Sequence, residues 1–196
     1  MVYYQYESII RHMLLIYPDD TQKNFNTRRE QMNTLKIKIP LKFLLTSVNV
    51  TWDDIIFGVK NEYLVSLSVS EYAMYLLEKN DEDLQDEIIN LAWGDKNDID
   101  DYIYNYLRKS NVNTETVKDK FLYVLLKLVW ENKNDYADPL EVIEDLYADL
   151  GYPSEIDHLV RYMSMKHKDM GSIELNVAEM YKDWEAFLMK KSKKYL

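Results

Sequence analysis

The stretch that decides the fold is Thr114-Glu115-Thr116-Val117-Lys118-Asp119-Lys120-Phe121-Leu122-Tyr123-Val124-Leu125-Leu126-Lys127-Leu128-Val129-Trp130. Thr114 is a good residue to cap a helix, and the apolar residues behind it recur every three or four positions, as on one helix face. That face consists of Val117, Phe121, Val124, Leu125, Leu128 and Val129. Lys127 interrupts the apolar run, which is far shorter than the roughly 18 to 20 apolar residues of a membrane span. We therefore predict a long core helix that does not enter a bilayer.

Four more helices are predicted on the N-terminal side of this stretch. Thr51 can cap a helix over residues 52–59, with Asp53 and Asp54 in the first turn, where the helix dipole favours negative charge. Ser66 or Ser68 opens a helix that reaches residue 79. Two further segments with helical spacing cover residues 83–91 and 99–108.

The C-terminal side has clear start and stop signals. Asp138 and Pro139 are a cap followed by proline at the first helical position, and Gly151 ends that helix near residue 150. Pro153 opens a helix to about residue 163. Asn176 and Glu179 have the spacing of a capping box for a last helix that reaches residue 191.

The first 45 residues follow a different pattern. Apolar residues at helical spacing between positions 6 and 17 predict a first helix, which Pro18 closes. Leu35, Ile37 and Ile39 alternate with lysines before Pro40, which favours at most a small strand or hairpin near residues 34–50. We expect one mainly helical domain over residues 1–196, with residues 1–45 as a peripheral helix and arm and residues 46–192 as its core.

Composition agrees with a mainly α fold. The chain has 196 residues, of which 47% are hydrophobic, and this is enough for a core. Only four glycines and four prolines are present, too few turn residues for a many-stranded sandwich or barrel. Because the predicted loops are short, successive helices should pack antiparallel, as helical hairpins in an irregular bundle or a two-layer helical array.

The net charge limits the classes of partner and location. Twenty-four basic and 34 acidic residues give a net charge of −10, which is unsuited to nucleic-acid phosphates. The absence of cysteine excludes disulfides and thiolate-ligated zinc. Residues 1–7 lack the basic head and apolar core of a signal peptide. We expect a cytoplasmic protein that binds neither nucleic acid nor membrane.

Most of the negative charge lies in two blocks. Residues 78–101 contain ten acidic residues and two lysines, and residues 131–157 contain nine acidic residues and Lys133. Solvation of helix faces is the ordinary explanation of such blocks. The alternative is an anionic surface that speeds docking onto a basic protein.

No motif for a metal or a cofactor is complete. Residues 95–101 begin like a calcium loop, but Ile99 occupies a ligand position and Asp100 stands where the turn needs glycine. Glu155 and His158 have the spacing of a ferritin-like metal motif, but no second copy exists. Glycine-rich phosphate loops and the GxSxG motif are absent. We therefore predict no cofactor and no metal.

The candidate partner-binding residues come from the two acidic blocks and the corner that follows residue 150. They are Asp98, Asp100, Asp101, Glu141, Glu144, Asp145, Asp149 and Tyr152. Tryptophan and tyrosine at the edges of the blocks would supply the apolar anchors of an interface.

A purely structural interpretation of the same residues is also open. Leu140, Ile143 and Tyr147 would face the core, while the acids of their helix face water. Arg161 could pair with these acids, and the four tryptophans would be core or corner residues.

Several short segments resemble a bacterial family known as domain of unknown function 2247. They are Thr51-Trp52-Asp53-Asp54-Ile55 with Gly58, Lys120-Phe121-Leu122-Tyr123, Asp138-Pro139-Leu140, Tyr147-Ala148-Asp149, Tyr152-Pro153 and Arg161-Tyr162-Met163. The resemblance covers about residues 45–190. It implies a compact, mostly helical, cytosolic bacterial protein, and it supplies no activity, catalytic residue or cofactor.

The sequence favours a binding role over catalysis. We expect a small acidic module that binds another protein, and an immunity-type protein that neutralises a basic partner is one form of it. An enzyme that uses Glu141, Glu144, Asp145 and Asp149, with or without a divalent metal, is the competing class. A self-associating structural protein is a third.

Overall fold

A computed structural model describes residues 33–79, 86–94, 96–109, 114–164 and 166–195. Within these ranges all regular secondary structure is helical, so the predicted mainly α fold is confirmed. The first predicted helix, at residues 6–17, and the start of the one at 83–91 lie outside the described residues.

The described ranges contain eight α-helices and two short 3₁₀ helices. The α-helices are α1 (Leu41–Ser47), α2 (Trp52–Lys60), α3 (Ser68–Glu78), α4 (Asp86–Trp93), α5 (Lys96–Lys109), α6 (Thr114–Glu131), α7 (Pro139–Asp149) and α8 (Ile173–Tyr195). The 3₁₀ helices are η1 (Lys133–Asp135) and η2 (Ser154–Leu159). No helix in this part of the chain is long and apolar enough to cross a membrane.

Helix α6 is the centre of the core. Its residues from Lys120 to Leu126 are all buried, so burial extends well beyond the predicted apolar face. The Phe121 ring lies 4.8 Å from Phe57 of α2, and Trp130 makes an edge contact with Trp184 of α8 at 5.0 Å. A helix that is apolar on most sides must be enclosed by neighbours.

The other helices pack around α6 as an array of hairpins. Helix α7 packs on α6 and on η2, and α8 returns across both η2 and α6. On the other side, α2 contacts α6 and α3, and α3 contacts α1 and α4. One continuous hydrophobic cluster joins them, which agrees with the expected helical array.

The alternating residues before Pro40, which favoured at most a small strand or hairpin near residues 34–50, form no strand. Helix α1 begins directly after Pro40. The Asn33 side chain accepts a hydrogen bond from the Ile37 amide and donates one to the Ile37 carbonyl, at 2.7 and 2.9 Å. The Ile37 backbone is thus satisfied by Asn33, while the Ile39 amide donates to the Tyr63 carbonyl at 2.8 Å and the Ile39 side chain inserts into the core.

Two helix predictions on the C-terminal side need correction. Residues 154–159 form only the 3₁₀ helix η2, not a helix to residue 163. Helix α8 begins at Ile173, where Ser172 Oγ accepts a hydrogen bond from the Leu175 amide at 3.2 Å. Asn176 instead bonds the preceding loop at Met170 and Asp169, because its side chain can serve a loop amide as well as a helix start.

The start signals of α2 and α7 are confirmed. Asp138 Oδ1 accepts hydrogen bonds from the amides of Leu140 and Glu141, with Pro139 in the first helical position. Asp54 Oδ2 accepts hydrogen bonds from the Thr51 amide and hydroxyl at 2.7 and 2.9 Å.

Asp54 also forms an ion pair inside the core. Lys120 Nζ of α6 lies 2.6 Å from Asp54 Oδ2, and it donates a second hydrogen bond to the Asn49 carbonyl. Asp54 is fully buried, and Lys120 nearly so. Two buried charges offset each other only when both are present, so this pair fixes the position of α2 on α6.

Removing the cation should therefore destabilise the fold. We expect Lys120→Met to lower the free energy of unfolding by about 3 kcal/mol, because it strands the Asp54 carboxylate in the core. Urea denaturation would measure the loss. Lys118→Met, on the same helix but half-buried, is the control and should change stability by less than about 1 kcal/mol. Equal effects of the two substitutions would contradict the importance of the pair.

A second polar cluster holds the C-terminal helix. Asp119 of α6 accepts hydrogen bonds from Lys191, Lys194 and Tyr195 of α8. The buried Lys191 also pairs with Glu155 of η2 at 2.6 Å. Burial opposes the ionised form of Asp119, but these donors outweigh it and lower the pKa of Asp119 to about 2.

This cluster predicts a pH dependence. Because the pKa of Asp119 is lowered on folding from 3.8 to about 2, its contribution is present above pH 4 and lost as pH falls toward 2. Asp119→Asn should be less stable than wild type by about 2 kcal/mol near neutral pH, with the gap closing below pH 4. Thermal unfolding across this range measures the gap. Asp135→Asn, at an exposed site, should have the same stability as wild type at each pH. A stability difference between Asp119→Asn and wild type that does not change with pH would contradict the lowered pKa of Asp119.

Candidate protein-binding surface

The corner between α7 and η2 presents an exposed tyrosine in an unusual backbone conformation. Gly151, just beyond the helix end, has φ of 81°, which costs glycine little. Tyr152 follows with φ of 60°, a left-handed conformation that costs a residue with a side chain about 1 kcal/mol or more. Its amide donates to the Tyr147 carbonyl at 2.8 Å, which closes the helix end. The Tyr152 side chain is nonetheless 63% exposed.

Tyr147 packs against this corner from the core side. It is buried, its ring makes an edge contact with Tyr152 at 5.3 Å, and its hydroxyl donates to Asp157 at 2.7 Å. The hydrogen bond to Asp157, with burial, raises the pKa of Tyr147 to about 12. Because Asp157 belongs to η2, this contact fixes the turn that displays Tyr152.

Arg161 holds the segment that follows η2 against α7. Its Nη1 lies 2.6 Å from Asp138 Oδ2, and its Nε lies 2.8 Å from Glu144 Oε1. The Arg161 amide also donates to Glu144 at 3.1 Å. Against the effect of burial, the guanidinium and two helix amides hold the pKa of Asp138 below its usual value. The predicted pairing of Arg161 with the acids of α7 is confirmed.

Arg161 thereby positions the next two residues at the surface. Tyr162 is 63% exposed, and Met163 is also exposed. Partial burial, and then the nearby Glu144, Tyr152 and Asp145, raise the pKa of Tyr162. Glu144, Tyr152 and Asp145 are therefore near neighbours of the Tyr162 hydroxyl. We call the residues Glu141, Asp145, Tyr152, Tyr162 and Met163 the tyrosine surface.

The structure separates the predicted acids of α7 by role. Glu141 is exposed, and Asp145 is half-buried next to it on the same helix face. Glu144 is held by Arg161, and Asp149 accepts hydrogen bonds from the Thr34 amide and hydroxyl at 2.7 and 3.1 Å. In the described part of the chain, no three histidine or carboxylate side chains are grouped as metal ligands would be.

The three predicted acids of the other block lie on α5. Asp101 is exposed, and Asp100 is half-buried and makes contacts of its own. The side chain of Asp98 lies outside the described residues. These residues belong to α5, whereas Glu141, Glu144, Asp145 and Asp149 belong to α7.

Sequence reasoning missed two exposed groups. Tyr162 and Met163 were not among the candidates, although they directly follow the arginine that pairs with α7. Trp93 was expected in the core or at a corner, but it is 78% exposed. The other three tryptophans agree with that expectation, since Trp184 is buried and Trp52 and Trp130 are half-buried.

These observations define a mainly α protein with a surface of exposed aromatic and acidic side chains. The model of a family described as an uncharacterized protein conserved in bacteria, DUF2247, matches residues 41–192. The chain belongs to this family. No curated protein and no solved structure matches it.

The backbone strain at Tyr152 can be tested by comparing the stability of variants with glycine and with valine at this position. Tyr152→Gly should be more stable than Tyr152→Val by about 1 to 2 kcal/mol, because valine is poorly accommodated at φ of 60°. Tyr162 is equally exposed without a positive φ, so there valine should be at least as stable as glycine. Urea denaturation of the four variants measures both differences, and the same order at both positions would contradict the strain.

Proposed function

We propose that this protein is a cytoplasmic protein-binding module that captures a basic partner through the tyrosine surface. The observation that carries this proposal is Tyr152, which is 63% exposed although its backbone is strained. Strain of this kind is concentrated at functional sites, because nothing in stability alone favours it.

The composition of the surface supports a protein partner. Tyrosine, methionine and arginine are enriched in protein interfaces, and two exposed tyrosines and the exposed Met163 belong to this surface. Tyr147 and Arg161 fix the backbone on both sides, so little conformational freedom would be lost on binding.

The charges support a basic partner. Arg161 is engaged by Asp138 and Glu144, so it adds little positive character toward solvent. Glu141 is exposed and Asp145 lies near Tyr162, in a block of nine acids and one lysine at residues 131–157. Such a surface speeds the approach of a positively charged protein, as an immunity-type protein that neutralises a basic toxin domain would require.

The proposal is tested with the partner itself. The tagged protein is used to isolate a stoichiometric partner from lysate of its source bacterium, and the affinity is then measured by calorimetry with the purified partner. Tyr152→Ala and Tyr162→Ala should each weaken binding by about 10-fold or more, since truncated aromatic anchors cost about 1 to 3 kcal/mol. The pair Glu141→Gln with Asp145→Asn should reduce the association rate and its salt dependence.

A matched pair of substitutions controls for net charge. Glu71→Gln with Glu185→Gln removes the same charge from exposed positions outside the tyrosine surface and outside residues 131–157. This control should bind nearly as wild type does. If it weakens binding as much as the Glu141 and Asp145 pair, or if both tyrosine variants bind normally, the tyrosine surface is not the binding site.

A further inference from the structure

A second exposed aromatic site lies between α4 and α5. The two helices border an open groove of about 710 Å³, whose lining includes Ile89, Trp93, Asp101 and Asn105. Trp93 is 78% exposed and Ile89 42% exposed. This groove is formed by elements that contribute nothing to the tyrosine surface.

The exposure of Trp93 follows from the way α4 packs. Leu91 and Ala92 are buried and face the core, and α4 packs on α3. Ile89 and Trp93 are four residues apart, so they share another face of the helix and line the groove together. The Trp93 indole lacks the burial that usually stabilises a tryptophan side chain. An exposed apolar patch such as Trp93 with Ile89 is typical of a surface that binds a partner.

The charge around the groove indicates what the partner brings. Asp101 is exposed in the groove lining, where it places a negative charge in the same groove as the Trp93 indole. An aromatic face next to a carboxylate suits a guanidinium group, which can stack on the ring and donate hydrogen bonds to the acid. The apolar Ile89 suits an aliphatic side chain beside it.

We propose that this groove is a second docking site that receives a basic segment of a protein, with an arginine against Trp93 and Asp101 and an aliphatic residue on Ile89. A groove of about 710 Å³ is in the size range of sites that hold a few side chains, not a whole domain. The proposal is independent of the tyrosine surface and would stand if that surface bound nothing.

The test uses short peptides of defined charge. An arginine–leucine hexapeptide with blocked ends is titrated into the full chain, and binding is followed by calorimetry and by tryptophan fluorescence. We expect saturable binding that weakens at least 10-fold when citrulline replaces arginine, because citrulline keeps the shape and removes the charge. The fluorescence change should disappear in Trp93→Leu, since the other three tryptophans are buried or half-buried.

Protein variants separate the groove from general attraction to an acidic surface. Trp93→Leu and Asp101→Asn should each lower the affinity for the peptide at least 5-fold. Circular dichroism should show that both variants are folded, because both positions are exposed. Glu71→Gln on α3 removes one exposed charge outside the groove and should leave affinity unchanged. Equal losses in Glu71→Gln and Asp101→Asn, or normal binding by Trp93→Leu, would overturn the proposal, as would the absence of saturable binding.

The tyrosine variants distinguish the two proposals. Tyr152→Gly should bind the peptide as wild type does, because Tyr152 does not line the groove. A peptide that loses affinity in Tyr152→Gly and keeps it in Trp93→Leu would place the peptide on the tyrosine surface and refute the groove.

Discussion

The ion pair between Asp54 and Lys120 is the constraint on which the rest of the structure depends. Helix α6 is buried on most of its surface, and Lys120 is the charged residue within its buried run, so it must meet an anion inside the core. That anion is also the acceptor for Thr51 at the start of α2. The Asp54 carboxylate therefore accepts hydrogen bonds at the start of α2 and also fixes α2 against α6.

The candidate surface is a consequence of this packing. Helix α7 lies on α6 and buries Leu140, Ile143 and Tyr147, which leaves Glu141 exposed on the opposite side of the helix. Glycine follows the helix end, η2 packs back on the helix through the bond between Asp157 and Tyr147, and Arg161, just after η2, pairs with Asp138 and Glu144. The exposed tyrosines therefore lie on backbone that is held by the hydrogen bonds and ion pairs of Tyr147 and Arg161.

Charge has two different roles in this protein. Much of it is neutralised internally, as where Asp119 and Glu155 pair with the basic end of α8, and where Arg161 engages two acids. Among the carboxylates that stay exposed are Glu141 on α7 and Asp101, which lines the same groove as the exposed Trp93. Aromatic anchors within an acidic field are the features that a basic protein partner would use.

The sequence by itself determined the helical class, the long core helix and the starts of α2 and α7, because these depend on periodicity and on caps within a few residues. It also suggested the pairing of Arg161 with α7. Only the tertiary structure decided that residues 35–39 form no strand, since a strand requires a partner and Asn33 satisfies the backbone instead. Only the structure separated Glu144 and Asp149, which are held by Arg161 and Thr34, from Glu141, which faces solvent. The exposure of Trp93 was decided in the same way, because whether a side chain is covered depends on residues that are distant along the chain.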